Sequence, residues 1–437
     1  MTRRLIALLA VCLLAVGTAT SCGGDDDGGG GTAKGTGTVT IFSLWGGSEQ
    51  KAFAKVLKQF TADTGIKTKY ESARDFLPVI RTRLAADNPP MVAIIPRPGF
   101  VAELAQDDVL IPLEDLGLDP DKINENYTET WTSLATVDDT VYGVVAKANS
   151  KSTIWYKPNS FQQNNFEIPT DFNQLIDITK EYKAKGETPW AAGAQGDDNS
   201  WTLTDWFEQI YVRQAGPDKY TQLFETGEVK FTDQSVKDAL NEMLKIVNDQ
   251  YMAGGIDTVL GISFVDAIGR VFGKNPKAEM FYEGGFVGGI AIDQVNPSLK
   301  PGVDIDFFDF PQIGGGDEGL VVGGGDVAAA FVNNEDVAKL LDYLATPEAG
   351  KIWVSTGAIA SPNEGVTAGD YPNELVSKEA KQLLEAKTFR FDGSDLLPGT
   401  LGQNFGTLLQ NVIKTPNDMD KLLDNYQADA DQAGFGA

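Results

Sequence analysis

Beyond residue 38 the chain switches repeatedly between β-branched runs and apolar residues at helical spacing, and each switch marks a new element. Val39-Thr40-Ile41-Phe42-Ser43-Leu44 reads as a strand that ends in Trp45-Gly46-Gly47-Ser48. Ser48 supplies an N-cap for a helix whose Phe53, Val56, Leu57 and Phe60 recur at i, i+3, i+4 and i+7, closed by Gly65. Residues 67–72 read as a second strand, 75–87 as a helix and 91–95 as a third strand. Such alternation predicts a parallel sheet covered by helices, with ligands beyond the carboxyl ends of its strands, where Trp45 and Arg97 fall.

The stretch VYGVVAKANSKSTIWY, residues 141–156, places two apolar runs around a polar centre, Lys147 to Ser152, that contains neither Gly nor Pro. An extended backbone buried at both ends and wet between them fits a crossing between two packed bodies, with Lys147, Asn149 and Ser152 facing the crevice. The alternative is two strands and a polar loop within one domain. Helices follow over 170–185, from about 233 to 252 and over 263–272, with strands at 190–192, 278–281, 304–310 and 320–332. From Glu335 onward the pattern is almost wholly helical, and there is no internal repeat.

Length argues for two domains, because 437 residues exceed what one hydrophobic core ordinarily serves. A formal charge of −26 works against nucleic-acid binding and against adhesion to anionic lipid. With no histidine, Ser-His-Asp and Cys-His machinery and every imidazole metal site are excluded. No cofactor and no metal site is expected.

The two cysteines are Cys12 and Cys22. Arg3-Arg4 followed by the apolar run 5–16 has the form of a signal peptide, residues 1–21, too short to span a membrane comfortably. Ala19-Thr20-Ser21-Cys22-Gly23 resembles a bacterial lipobox, which would make Cys22 the lipidated N-terminus of the mature chain. The glycine- and aspartate-rich residues 22–37 then read as a flexible linker.

Gly323-Gly324-Gly325-Asp326-Val327-Ala328 matches a dinucleotide-binding pattern, but the run continues as strand where that motif opens a helix. Carboxylate pairs such as Asp197 with Asp205, or Asp392 with Asp395, leave a glycoside hydrolase open as an alternative. Trp45, Trp201 and Trp206 stand where flat rings can stack on a sugar face, although core packing is the ordinary fate of any one tryptophan.

Cys22, the Trp45-Gly46 loop, the 141–156 crossing, Glu283-Gly284-Gly285-Phe286 and Leu344-Ala345-Thr346-Pro347-Glu348-Ala349-Gly350 together resemble the extracellular solute-binding proteins of carbohydrate ABC transporters. Residues 391–405, FDGSDLLPGTLGQNF, look most like the α-glucoside-binding branch. The resemblance implies an α/β, two-lobed, periplasmic-binding-protein-like (type II) fold with discontinuous lobes and a hinge. The lobes are expected at 38–148 with 303–346, and at 149–302 with 347–437. It further implies a monomer that hands a carbohydrate to membrane permease subunits, with no catalysis. By position, ligand contacts are expected from Trp45, Gly46, Ser48, Arg97, Lys147, Asn149, Ser152, Trp201, Asp205, Trp206, Gly285, Phe286, Asp326, Asp395 and Phe405.

Overall fold

The computed structural model describes residues 32–437 except 74, 316–318, 358, 437 and the side chain of Ser48. The expected signal peptide, Cys22 and the expected linker as far as residue 31 lie outside the described residues.

Among the described residues, twelve strands follow one another along the chain. They are β1 (Thr38–Ser43), β2 (Lys67–Ser72), β3 (Val92–Ile95), β4 (Thr136–Val137), β5 (Thr140–Val141) and β6 (Gly143–Ser150). The second half holds β7 (Thr153–Tyr156), β8 (Trp190–Ala191), β9 (Met280–Tyr282), β10 (Asp306–Asp309), β11 (Leu320–Ala330) and β12 (Thr388–Phe391). One sheet runs β12-β11-β3-β1-β2, with β6 also paired to β11; a second runs β10-β7-β9-β8; β4 and β5 form a small hairpin.

The first sheet begins as the alternating pattern requires. β1 is parallel to both neighbours, Ile41 facing Tyr70 on one side and Val92 on the other. The helix after it, Gly47–Thr64, closes on Gly65 in the left-handed region, φ 76°. Its N-cap is Gly46 and not Ser48: Gly47 takes φ 59°, which a glycine tolerates, and the helix starts two residues early.

β11 joins this sheet antiparallel to β3 and β6 and parallel to β12. Its triple glycine is a packing device. A Cβ on Gly323 would lie 2.6 Å from the Phe389 ring, and one on Gly325 would lie 3.2 Å from the Lys147 carbonyl oxygen. That crowding is why the nucleotide-like motif occurs inside a strand.

Both faces of the second sheet are covered. Ile154 and Tyr156 of β7 point into one apolar core while Trp155 between them points into another, and Phe307 and Phe308 of β10 divide in the same way.

Several expected boundaries move. Residues 306–309, expected in the first lobe, pair with β7 in the second sheet. Residues 347–366, expected in the second lobe, send Ala349, Trp353, Val354, Ile359 and Val366 into the core beneath the first sheet. The helical tail is broken by β12, whose Phe391 enters that core as well. In each case the deciding contact is far away in sequence, so local spacing carried no signal.

The last part of the expected linker is docked. Glu335 N–H donates to Ala33 O at 2.9 Å, Gly37 N–H donates to Asp336 Oδ2 at 2.7 Å, and Thr32 Oγ1 reaches Asp115 O at 3.3 Å. No helix among the described residues is long and apolar enough to cross a membrane.

Candidate functional site

The chain passes from the first sheet to the second between Ser150, the end of β6, and Thr153, the start of β7. Lys151 and Ser152 make the passage, and all eight residues of β6 before them are buried. The centre of the stretch is therefore dry, contrary to the wet middle expected. It stays dry because Lys147, Ser150, Lys151 and Ser152 all have partners inside the protein.

Ser152 is a pin for the crossing, not a ligand donor. Its hydroxyl donates to Gln209 Oε1 at 3.0 Å and accepts the Val322 N–H at 3.0 Å. Phe310 N–H returns to Ser152 O at 2.9 Å, which ties the β10 to β11 passage to the same place.

Lys147 and Lys151 sit on either side of the junction, and each stands over a tryptophan. The Lys147 ammonium pairs with Glu49 and lies 5.7 Å from the Trp45 ring centre. The Lys151 ammonium, 5.3 Å from the Trp201 ring centre, pairs with Asp205 Oδ1 at 3.0 Å and with Asp392. Burial opposes both charges, but the neighbouring carboxylates outweigh it and push both lysines above the ordinary range.

Trp45 follows β1 and is 1% exposed, edge-on to Trp353 at 4.8 Å and to Phe53 at 5.2 Å. Core rings and the Lys147 ammonium enclose it, so it is not an open stacking platform. What it offers the junction is its indole N–H, which donates to Asp326 Oδ2 at 2.7 Å. Gly46 next to it has open space where a Cβ would be. Asn149 is buried against Gly324.

Arg97 precedes the helix Pro98–Gln106 and its Nε lies 3.1 Å from Asp395 Oδ1, so the loop after β3 meets the turn after β12. Burial first, and the nearby Asp392 charge second, push Asp395 up to about 7. Asp392 is lowered, because the Lys151 charge and hydrogen bond overcome its burial.

Trp201 opens the helix Trp201–Ala215, half-buried, with edges against Phe264 at 5.2 Å and Phe286 at 5.9 Å. Gly285 N–H donates to Ser150 O at 2.8 Å, and a Cβ there would fall 1.8 Å from Glu379 Cδ. Glu379 fills that space and accepts the Ser150 N–H at 3.1 Å.

Two expected contacts are core residues. Trp206 packs on Trp190, Tyr282 and Phe310, and Phe405 is enclosed by Phe207, Phe224, Phe231 and Tyr426. Trp206 is five positions from Trp201 on one helix, and that rotation carries it from the junction into the interior. The Ser48 side chain, expected among the contacts, lies outside the described residues.

Glu49, Lys151, Glu379 and Glu283 were not among the expected contacts. Lys151 alone had a local signal, four residues after Lys147 and hence on the same side of an extended chain. Carboxylate oxygens of Asp205, Glu208 and Asp392 also converge within 4.8 Å, and the cation among them is the Lys151 ammonium.

Residues 46–351 match the family model of the bacterial extracellular solute-binding proteins. The chain is 32% identical over 378 residues to the osmoprotective compounds-binding protein GgtB of Synechocystis sp., covering 86% of this chain and 87% of that one. It is 31% identical over 381 residues to the alpha-glucosides-binding periplasmic protein AglE of Rhizobium meliloti, covering 84% and 81%. Its backbone is similar, with a TM-score of 0.79 at 20% identity over 91% of this chain and 99% of the other, to the bacterial solute receptor AcbH, which has an exclusive substrate preference for β-D-galactopyranose. The α/β fold with its two sheets is thus the two-lobed fold of such receptors, and the chain belongs to the family of bacterial extracellular solute-binding proteins.

Proposed function

We propose that this chain is a receptor that captures a carbohydrate, an α-glucoside or another oligosaccharide, outside the membrane and delivers it to the permease of an ABC importer. The observation that carries this reading is the half-buried aromatic pair Trp201 and Phe286 beside the charged groups Lys151, Asp205, Arg97 and Asp395 at the meeting of the two sheets. Flat rings take a sugar face, while fixed charged donors and acceptors take its hydroxyls. The name of one relative, a binder of alpha-glucosides, points to the same chemistry.

Each sheet forms the heart of one lobe in this reading, and a ligand touching both favours their closed arrangement. The mature protein is a monomer held to the membrane by lipid on Cys22, after removal of residues 1–21. No reaction is catalysed in this reading: the Asp392 carboxylate is held by Lys151 and Ser394 and the Asp395 carboxylate by Arg97, so both are engaged as structural partners.

Thermal-shift screening against mono-, di- and trisaccharides tests the reading, since a ligand of the folded state raises the melting temperature. A rise with one sugar class and no release of dye from chromogenic glycosides is expected. No response to any saccharide, or turnover of a glycoside, would sink it. For the anchor, Cys22→Ala should leave the membrane fraction, and unchanged attachment would refute lipidation.

A further inference from the structure

Four carboxyl groups crowd one ammonium beneath the crossing. Asp205, Glu208, Glu283 and Asp392 are all buried around Lys151. Not all four can be ionised in so dry a place with a single counter-charge.

Donors decide which of them are. Asp392 accepts from Lys151, from Ser394 Oγ at 2.9 Å and from Asp395 N–H at 3.1 Å. Glu208 accepts from Gly393 N–H at 2.7 Å, Ser394 N–H at 3.0 Å and Tyr220 OH at 2.7 Å. Asp205 Oδ1 has Lys151 at 3.0 Å, and Glu283 Oε2 has Gly284 N–H at 3.3 Å. That leaves Asp205 Oδ2 and Glu283 Oε1, two buried oxygens that no donor reaches. The two carboxyl groups are neighbours, each shifting the other's ionisation.

We propose that Asp205 and Glu283 share a proton, with Glu283 the neutral donor and Asp205 the acceptor, and that this proton is a built-in part of the junction at neutral pH. It satisfies both orphaned oxygens at once and reduces the uncompensated charge around Lys151. Asp392 also faces Asp205, but it already accepts from Lys151, Ser394 Oγ and the Asp395 N–H and has no orphaned oxygen for the proton to satisfy. The Tyr282 hydroxyl donates to the Lys151 and Asp205 carbonyl oxygens, Trp155 Nε1 donates to the Glu283 carbonyl, and Arg213 is turned to Gln209 and Leu320. Burial and the Asp205 charge both push Glu283 well above the usual carboxylate range, in the same direction.

The proton links three parts of the chain: the crossing through Lys151, the helix Trp201–Ala215 through Asp205, and the Gly284-Gly285-Phe286 turn through Glu283. Because the folded protein holds it and the unfolded chain releases it above about pH 4.5, stability should fall as pH rises from there.

The test is urea unfolding of the full chain and of Glu283→Gln across pH in sodium chloride. Glutamine can donate to Asp205 Oδ2 at every pH. The variant is expected to match wild-type stability at about pH 4.5, to lose roughly one proton from the pH slope above it, and so to exceed wild type at neutral pH. An unchanged slope with a weakened variant overturns the proposal. Repeating the wild-type series in calcium chloride at matched ionic strength is expected to change nothing, and a stabilisation that Glu283→Gln abolishes would put a cation in place of the proton. If the variant does not fold, the infrared spectrum of the wild type decides: a carboxylic-acid C=O band should persist at about pH 8, where exposed carboxyls are ionised, and its absence overturns the proposal.

Discussion

The Trp45 indole N–H donates to Asp326 Oδ2 at 2.7 Å across 281 positions of sequence, joining the loop after β1 to the middle of β11. Both residues are buried, so the bond does more than orient a side chain. Trp45→Phe keeps most of the ring's packing and removes the donor. A buried acceptor left without a partner costs about 1–3 kcal/mol, and urea denaturation should show a loss in that range. A midpoint equal to that of the wild type would mean that solvent reaches Asp326.

Lys151→Met should be more damaging. It leaves Asp205 and Asp392 facing each other without the ammonium that separates them, and breaking a buried ion pair from one side typically costs about 3–5 kcal/mol. The double variant Lys151→Met with Asp392→Asn should recover part of the loss. Additive losses in the two single variants and the double would show that the residues act independently.

Gly285→Ala is expected to act through Glu379. The new Cβ would lie 1.8 Å from the Glu379 carboxyl carbon, so that side chain must move and the Ser150 N–H loses its acceptor. Overpacking of this kind costs about 1–3 kcal/mol. In a Glu379→Ala background the same substitution should cost much less, and thermal melts of the four proteins would show whether it does.

How much of this was legible beforehand follows from the range of the interactions. β2 was readable to the residue, and the helix end at Gly65 was too, because the alternation of Thr68 and Tyr70 with charged residues and a left-handed glycine are local signals. The crossing at Lys151 and Ser152 was readable as a break between two apolar runs. The partner of β10 was not, nor the core role of Trp353, since each depends on a surface brought up from far along the chain. The site divides similarly. Trp201, Phe286, Arg97 and Asp395 lie in loops or at element ends, where Trp201 touches Phe286 and Arg97 pairs with Asp395. Glu379 lies within an ordinary amphipathic helix, Glu374–Leu384, and nothing local separates it from a surface glutamate.

Glu379 also makes stability depend on pH. Burial pushes its carboxyl up to about 7, while the Ser150 N–H and Lys147 hold it down. A raised acid is protonated in the folded state at pH values where the unfolded chain has already ionised. Its stabilising contribution is therefore complete below about pH 4.5 and is lost as pH rises to 7. Glu379→Gln should remove that component, so its stability should fall less than wild type's between those two values. Identical pH profiles by urea unfolding would show that Glu379 stays ionised throughout.

Trp201 and Trp206 provide the sharpest separation of binding from folding, because they are two rings of one kind on one helix in opposite surroundings. Trp201 is half-buried, with its edges on Phe264 and Phe286 and Lys151 over its ring, so its truncation removes area that a sugar would cover. A well-placed aromatic anchor typically contributes about 2 kcal/mol or more to binding. Trp206 is 1% exposed among Trp190, Tyr282 and Phe310, and truncating such a ring typically costs about 3–5 kcal/mol of stability through the cavity it leaves. Calorimetric titration with the best saccharide, alongside urea unfolding, should therefore show Trp201→Ala weakened in affinity but close to wild type in stability. Trp206→Phe, which keeps a ring in the core, should lose stability while its folded fraction binds with wild-type affinity. If Trp201→Ala bound the sugar as tightly as wild type, the ligand would have to lie elsewhere, and the aromatic wall of Trp201 and Phe286 would be a packing feature of the second sheet's surroundings alone.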